Sequence, residues 1–272
     1  MPRPPRWMRE FVLSFKTVLS IAILLLASTD RAFAAASTPD KGEELVIAAP
    51  AFWCPFSCTA GATPEGFTLD ILRAIFEPRG VRIRLINENY ARALEDVRQG
   101  RYGATPSTFK EEAPGFVFPE LPISRNQYCF YTAAGHAWRY TGVRSLGRQR
   151  VGIVKGYSYG PQLDQAIAQN EASFDISGGE DVTYRMARKV LMNRLDSFVE
   201  DESLVQYTMA IHPELKLRNA GCAPPRLAYL ALSPAMPKSA AYAHAFDEGM
   251  QRLRASGQLE RIMATYGLHD WP

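Results

Sequence analysis

Two rhythms of apolar residues alternate along the chain. Short apolar runs read as strands, and stretches with apolar side chains every three or four positions read as helices. Glu44-Leu45-Val46-Ile47-Ala48-Ala49 is a run of the first kind. Phe67, Ile71, Leu72, Ile75 and Phe76 then recur at helical spacing, from Gly66 to a stop at Gly80. Val81, Ile83 and Leu85 alternate with Arg82 and Arg84, the pattern of a strand with one wet face. A short helix through Tyr90, Leu94 and Val97 ends at Gly100, and a short strand is predicted over Tyr102–Pro106.

The same order begins again after a strand predicted over 127–133. Strands at 151–154 and 173–177 alternate with helices at 161–169 and 181–193. A further strand, apolar through Leu195, Phe198 and Val199, runs into Glu200 and Asp201, beyond which Leu204, Val205, Tyr207 and Met209 mark an amphipathic segment. A late β run covers 227–232, and two helical faces follow at 242–253 and 259–266, separated by Gly257. Strands joined by helices predict an α/β protein of two units with mainly parallel strands, over 44–126 and 135–225. The C-terminal helices have no sheet of their own and are expected to return to the first unit.

The first 36 residues read as a signal peptide, in which Arg3, Arg6, Arg9 and Lys16 precede an apolar run from Val18 to Ala27. That run is short for a membrane span. Small residues at Ala32-Phe33-Ala34 and Ala34-Ala35-Ala36 place cleavage near 34–37, and a periplasmic location is expected. The segment also accounts for the chain's apparent basicity. It carries five basic and two acidic residues, so the 31 basic and 28 acidic residues of the whole become 26 of each. A neutral remainder with no basic block gives no electrostatic case for nucleic acid.

Four cysteines, Cys54, Cys58, Cys129 and Cys222, form an even set suited to an oxidising compartment. Spacing does not fix their connectivity, although Cys54 and Cys58 would close a small loop. The four histidines are scattered and none stands at ligand spacing from a cysteine, so neither a metal nor a cofactor is expected.

Two segments carry candidate binding chemistry. Glu200 and Asp201 stand at the C-terminal end of a strand, where ligands of parallel α/β sheets sit. A carboxylate there suits an ammonium, though acids also commonly begin helices because they complement the dipole. The turn Lys155-Gly156-Tyr157-Ser158-Tyr159-Gly160 joins a strand to a helix, where bare backbone N–H groups suit an anion.

Three segments, in order, resemble the extracellular solute-binding proteins of family 3, which serve polar amino acid ABC transporters. The first is Gly66-Phe67-Thr68-Leu69-Asp70-Ile71. The second runs from Tyr90-Ala91-Arg92-Ala93-Leu94 to Gly100-Arg101-Tyr102. The third joins Val151-Gly152-Ile153-Val154-Lys155-Gly156 to Leu195-Asp196-Ser197-Phe198-Val199-Glu200-Asp201-Glu202, and the ending at Leu253–Gly257 and Tyr266-Gly267 is also similar. The resemblance implies a two-lobed clamshell of the periplasmic-binding-protein type. Its first lobe would begin at 37–126, with a crossover strand at 127–134 and a second lobe over 135–225. Residues 226–272 would supply a return strand and helices packing on the first lobe. Cys129 and Cys222 would then lie on neighbouring hinge segments and pair.

The resemblance also implies a ligand set. Asp201 falls where the family places the acid that holds an α-ammonium; in the glycine turn, Gly156 exposes backbone N–H to a ligand anion, Ser158 can add a hydroxyl and Tyr157 can stack on a ligand. Phe52, Trp53 and Tyr90 are candidates for the cleft wall of the first lobe, with Ser107, Thr108 and Lys110 in the loop after its third strand. The family's carboxylate-binding arginine is missing from Ser107-Thr108-Phe109-Lys110-Glu111-Glu112-Ala113-Pro114. Lys110 could replace the charge without the fork geometry, which counts against an ordinary α-amino acid and leaves an amine, a modified amino acid, a short peptide or another small polar metabolite open. The expected role is a monomeric, non-catalytic binding protein that captures a small polar solute for an ABC-type permease. A catalytic member of the fold (dehydratase-like or glycan-cleaving) and a ligand-sensing partner of a membrane receptor are the alternatives.

Overall fold

A computed structural model describes residues 42–170 and 172–271. The expected signal peptide and its cleavage sites lie outside the described residues. Among these, ten strands and seven α-helices build a mixed α/β protein of two lobes, each centred on a five-stranded sheet.

The first sheet contains β1 (Glu44–Ala49), β2 (Arg82–Asn87), β3 (Ala104–Thr108), β4 (Ser124–Asn126) and the late strand β10 (Arg226–Leu232), in the order β2-β1-β3-β10-β4. β1 is parallel to β2 and β3, as helical crossovers require, whereas β10 runs antiparallel to both its neighbours. The crossovers are α1 (Phe67–Phe76) and α2 (Tyr90–Arg98). β2 is one of the two edge strands: Ile83 and Leu85 are buried, while Arg82 and Arg84 each reach Glu44 at 2.9 Å.

α1 starts where only glycine fits. Gly66 has φ 116°, and a Cβ there would stand 2.4 Å from the Phe56 carbonyl oxygen. Its N–H donates to the Tyr266 hydroxyl, which in turn donates to Asp70 at 2.6 Å. Asp70 is thereby engaged with the C-terminal helices. These are α6 (Ser239–Ala255) and α7 (Gln258–Thr265), and their Phe246, Met250, Leu259 and Met263 share one core with Ile71, Leu72, Ile75 and Phe76 of α1.

The second sheet contains β5 (Tyr128–Ala133), β6 (Arg150–Val154), β7 (Ser173–Ser177), β8 (Ser197–Asp201) and β9 (Leu217–Cys222), in the order β7-β6-β8-β5-β9. Its helices are α3 (Pro161–Ala168), α4 (Val182–Leu191) and α5 (Glu202–Ile211). β6, β7 and β8 run parallel, and β5 is antiparallel to β8 and β9.

The chain passes from the first sheet to the second at Gln127, between β4 and β5, and returns over 223–225, between β9 and β10. This differs from the sequence reading, in which 127–133 and 227–232 were single crossing strands. Each passage is instead made by two strands on different sheets. β4 and β9 escape a periodicity search because they carry Ser, Arg and Asn, with no run of apolar residues. Cys54 is bonded to Cys58 in the loop after β1, and Cys129 to Cys222, register partners in β5 and β9.

β3 also departs from expectation. It covers Ala104–Thr108, two residues later than predicted. The N–H groups of Arg101 and Tyr102 are still bonded to the Asp96 carbonyl of α2, so the ladder begins only when Gly103 N–H reaches Val46. Ser107 and Thr108 are consequently strand residues, both buried.

Candidate ligand-binding cleft

The C-terminal ends of β1, β2 and β3 face those of β6 and β7 across a cleft with two compartments. The inner one is a narrow chamber lined by Pro50, Trp53, Tyr90, Ser107, Phe109, Glu112, Tyr128, Tyr157 and Ser158. Its free space is about 30 Å³, room for about one water. The outer one is a mouth of about 680 Å³, bounded by four loops at 50–53, 87–91, 154–157 and 178–182. Pro50, Trp53, Tyr90 and Tyr157 line both.

The chamber wall is built from both lobes. The loop after β1, pinned by the Cys54–Cys58 bond, presents Trp53, whose ring stacks on Phe56 with centroids 4.5 Å apart. Tyr90 is the first residue of α2, whose N-cap is Asn89, and its hydroxyl donates to Glu112 Oε2 at 2.7 Å. The same oxygen accepts from Phe109 N–H at 3.3 Å. Burial pushes the Glu112 carboxyl above the ordinary range, opposed by these two donors and by the guanidinium of Arg226. Ser107 holds φ 53°, uncommon for a residue with a side chain, and its hydroxyl accepts from Ser124 at 2.9 Å.

Phe109 joins the lobes. It follows β3 in the first lobe, yet packs in the second lobe's core with Tyr128, Phe130 and Tyr159. Arg226 stacks on it, guanidinium carbon 3.6 Å from the ring centroid, and pairs with Glu111. Tyr157 and Tyr128 close the chamber from the second lobe. Burial raises both phenols well above their usual range, so they remain neutral donors. The nearby charges of Glu200 and Asp201 act in the same direction.

Glu200 and Asp201 are wholly buried, and neither lines the chamber. Desolvation pushes Glu200 up to about 8 and Asp201 up to about 7. Glu200 accepts from Thr183 at 3.1 Å and from the N–H of Asp201 at 2.8 Å. Asp201 Oδ1 caps α5 by accepting from Ser203 N–H at 2.9 Å, and Oδ2 accepts from Gln127 N–H at 3.0 Å. The Asp201 carboxylate, expected to point into the gap, is here turned to backbone N–H groups and does not line the chamber. It is committed to the hinge and to a helix start, both of which need an acceptor at that spot.

The other expected site residues divide. Trp53, Tyr90, Ser107, Tyr157 and Ser158 meet in the chamber, while Gly156 and the 46% exposed Phe52 border the mouth. Ser158 is partly spent, since its hydroxyl donates to Asp164 at 2.7 Å. Thr108 lies buried in β3 and lines neither compartment, because the strand runs two residues further than predicted. Lys110 also lines neither, with Nζ 4.1 Å from the Tyr229 ring centroid. Phe109, Glu112 and Tyr128, together with Pro50 at the end of β1, were missed as chamber residues. For the first three the only sequence signal is position beside a strand end, which is visible only once β3 and β5 are placed. Among the described residues, no group of three His, Cys, Asp or Glu side chains is placed to hold a metal ion.

The chamber thus offers five aromatic rings and one carboxylate, with two more acids close behind the tyrosines and no Lys, Arg or His in its lining. Aromatic faces and a carboxylate favour a cation.

A family model described as bacterial extracellular solute-binding proteins, family 3, matches residues 45–269. Among curated proteins, none matches this chain. Solved structures similar to it include a histidine kinase sensor domain with similarity to periplasmic binding proteins (TM-score 0.68, 16% identity, 85% of this chain and 100% of that one). Another is the ancestral amino acid-binding protein AncCDT-1, a precursor of cyclohexadienyl dehydratase (0.64, 14%, 82% and 94%). A third is the amino acid ABC transporter substrate-binding protein AbpA of Streptococcus pneumoniae, bound to L-arginine (0.63, 17%, 82% and 94%). Identities this low establish a shared fold.

Proposed function

The chain belongs to the bacterial extracellular solute-binding proteins, family 3, and on that premise we propose that it is an exported protein enclosing a small amine-bearing cation. Residues 1–36 serve as its signal peptide, removed near 34–37, and the mature monomer works in the periplasm. It hands its solute to an ABC-type permease, the role named for AbpA.

The observation that carries the choice of ligand is the chamber lining: Trp53, Tyr90, Phe109, Tyr128 and Tyr157 around Glu112, with no basic residue among them. An α-carboxylate would meet Glu112 and find no arginine fork, whereas an ammonium would find a carboxylate and π faces. Closure of the lobes around the guest is the whole of the work, with no bond made or broken. Phe109 and Tyr157 already bridge the lobes and are the contacts a guest would rearrange.

The test is calorimetry on the mature protein with matched sets: an amine, the amino acid built on it, and the acid lacking nitrogen. Binding of the amine, weaker binding of the amino acid and none of the acid is expected. Selective binding of the acid would overturn this reading.

The catalytic alternative assigns the general acid or base to Glu200 or Asp201. Both are buried with their oxygens engaged, which supports binding over turnover. Mass spectrometry of the ligand recovered after incubation separates the two, an unchanged mass being expected. The likeness to a histidine kinase sensor domain supports a sensing role only at the level of fold; pull-down of membrane partners with and without ligand tests it.

A further inference from the structure

We propose that the solute is longer than a single amino acid, namely a short peptide of about two or three residues. Its N-terminal ammonium would enter the chamber and its backbone would run out into the mouth. This rests on the cationic reading above and extends it.

Size is the first argument. The chamber has room for about one further water-sized group, but it opens through Trp53, Tyr90 and Tyr157 into about 680 Å³ of mouth, within the range of pockets that hold molecules of tens of atoms. A guest confined to the chamber would leave most of the cleft empty. A guest with a small cationic head and a longer body would fill both.

An unpaired polar atom is the second. Trp53, 8% exposed, has an indole N–H with no partner, while the Glu88 carboxyl is taken up inside the lobe, by Arg92 at 2.8 Å and by the neighbouring carboxyl of Asp96. Both residues border the mouth. A buried donor left without an acceptor is costly to the fold. A peptide carbonyl supplies the acceptor that the Trp53 N–H lacks, whereas a simple amine supplies none.

The third argument is the far end. Lys155 borders the mouth, is exposed and forms no ion pair among the described residues. It stands beside Gly156, and across from it are Gly178 and Gly179, which leave backbone bare for main-chain recognition. A terminal carboxylate emerging from the chamber would meet Lys155.

The experiment presents the mature protein with mixed-sequence dipeptides and tripeptides, matched N-acetylated and C-amidated sets, amino acids and simple amines. Retained species are read by native mass spectrometry and their affinities by calorimetry. Free peptides are expected to bind at least about tenfold more tightly than amino acids or amines. C-amidation should weaken binding to the native protein and make no difference to Lys155→Met, a substitution at an exposed site. Trp53→Phe, which keeps an aromatic face and removes the N–H, should weaken peptide binding about five- to tenfold more than it weakens amine binding. Amines or amino acids binding as tightly as any peptide, no peptide retained, or both variants binding like the native protein would each overturn the proposal. N-acetylated peptides binding as tightly as free ones would instead overturn the cationic reading beneath it.

Discussion

Asp201 Oδ2 accepts a hydrogen bond from the backbone N–H of Gln127 at 3.0 Å, linking the start of α5 to the one residue that separates β4 from β5. Glu202 N–H answers by donating to the Gln127 carbonyl at 2.9 Å. The acid that resembles a family ligand contact is therefore also a hinge tie. Asp201→Ala removes the cap and the tie together and is expected to cost about 1–2 kcal/mol in thermal melts. Asp201→Asn, which keeps an acceptor for Ser203 N–H, should lose less.

Glu200 sets a pH dependence. Its carboxyl is raised from 4.5 to about 8 because burial penalises the charge. The native state therefore holds a proton that the unfolded chain releases above about 4.5. Stability from this group is complete below that pH, falls as pH rises, and levels off above about 8. Glu200→Gln mimics the neutral form. Melts of the two proteins should match near pH 4.5, with the variant increasingly the more stable up to about pH 8. A constant difference across that range would refute the assignment.

Phe109 is the contact through which the first lobe enters the core of the second. Phe109→Ala removes a buried ring, at about 3 kcal/mol or more where a cavity remains. Because the ring bridges two bodies, part of that loss should appear as opening. Small-angle scattering of the unliganded variant is expected to show a larger radius of gyration than the native protein.

α1 and α6 meet too closely for any side chain at Gly249, where a Cβ would lie 2.5–2.6 Å from the γ carbons of Ile75. Gly249→Ala gains helix propensity but forces the helices apart, with a net loss of about 1–3 kcal/mol expected in denaturant titration. Adding Ile75→Val, which trims the contact, should recover part of it.

Most of the fold was legible because its parallel strands announce themselves. Residues 44–49, buried at Leu45, Ile47, Ala48 and Ala49, form a strand over the span their pattern predicts. The hinge was not legible, since Ser124-Arg125-Asn126 and Leu217–Cys222 pair through backbone and carry no apolar rhythm. For the cleft, Trp53, Tyr90 and Tyr157 follow from position after a strand or at a helix start, which sequence order alone reveals. Phe109 and Glu112 depend on where β3 stops, and two residues of error there moved them out of view. Whether Asp201 faces guest or backbone depends on side-chain direction, which no periodicity encodes.

Asn126 and Arg226 are register partners in neighbouring strands β4 and β10. Everything between them, residues 127–225, is a single excursion that departs and rejoins at one place, its base fastened by Cys129–Cys222. The remaining sheet keeps all five of its own strands, with adjacent ends that a tight turn could join. The first lobe is thus expected to survive as a free-standing miniature after such an excision, and half-molecules from relatives could be grafted at the same seam to recombine specificities.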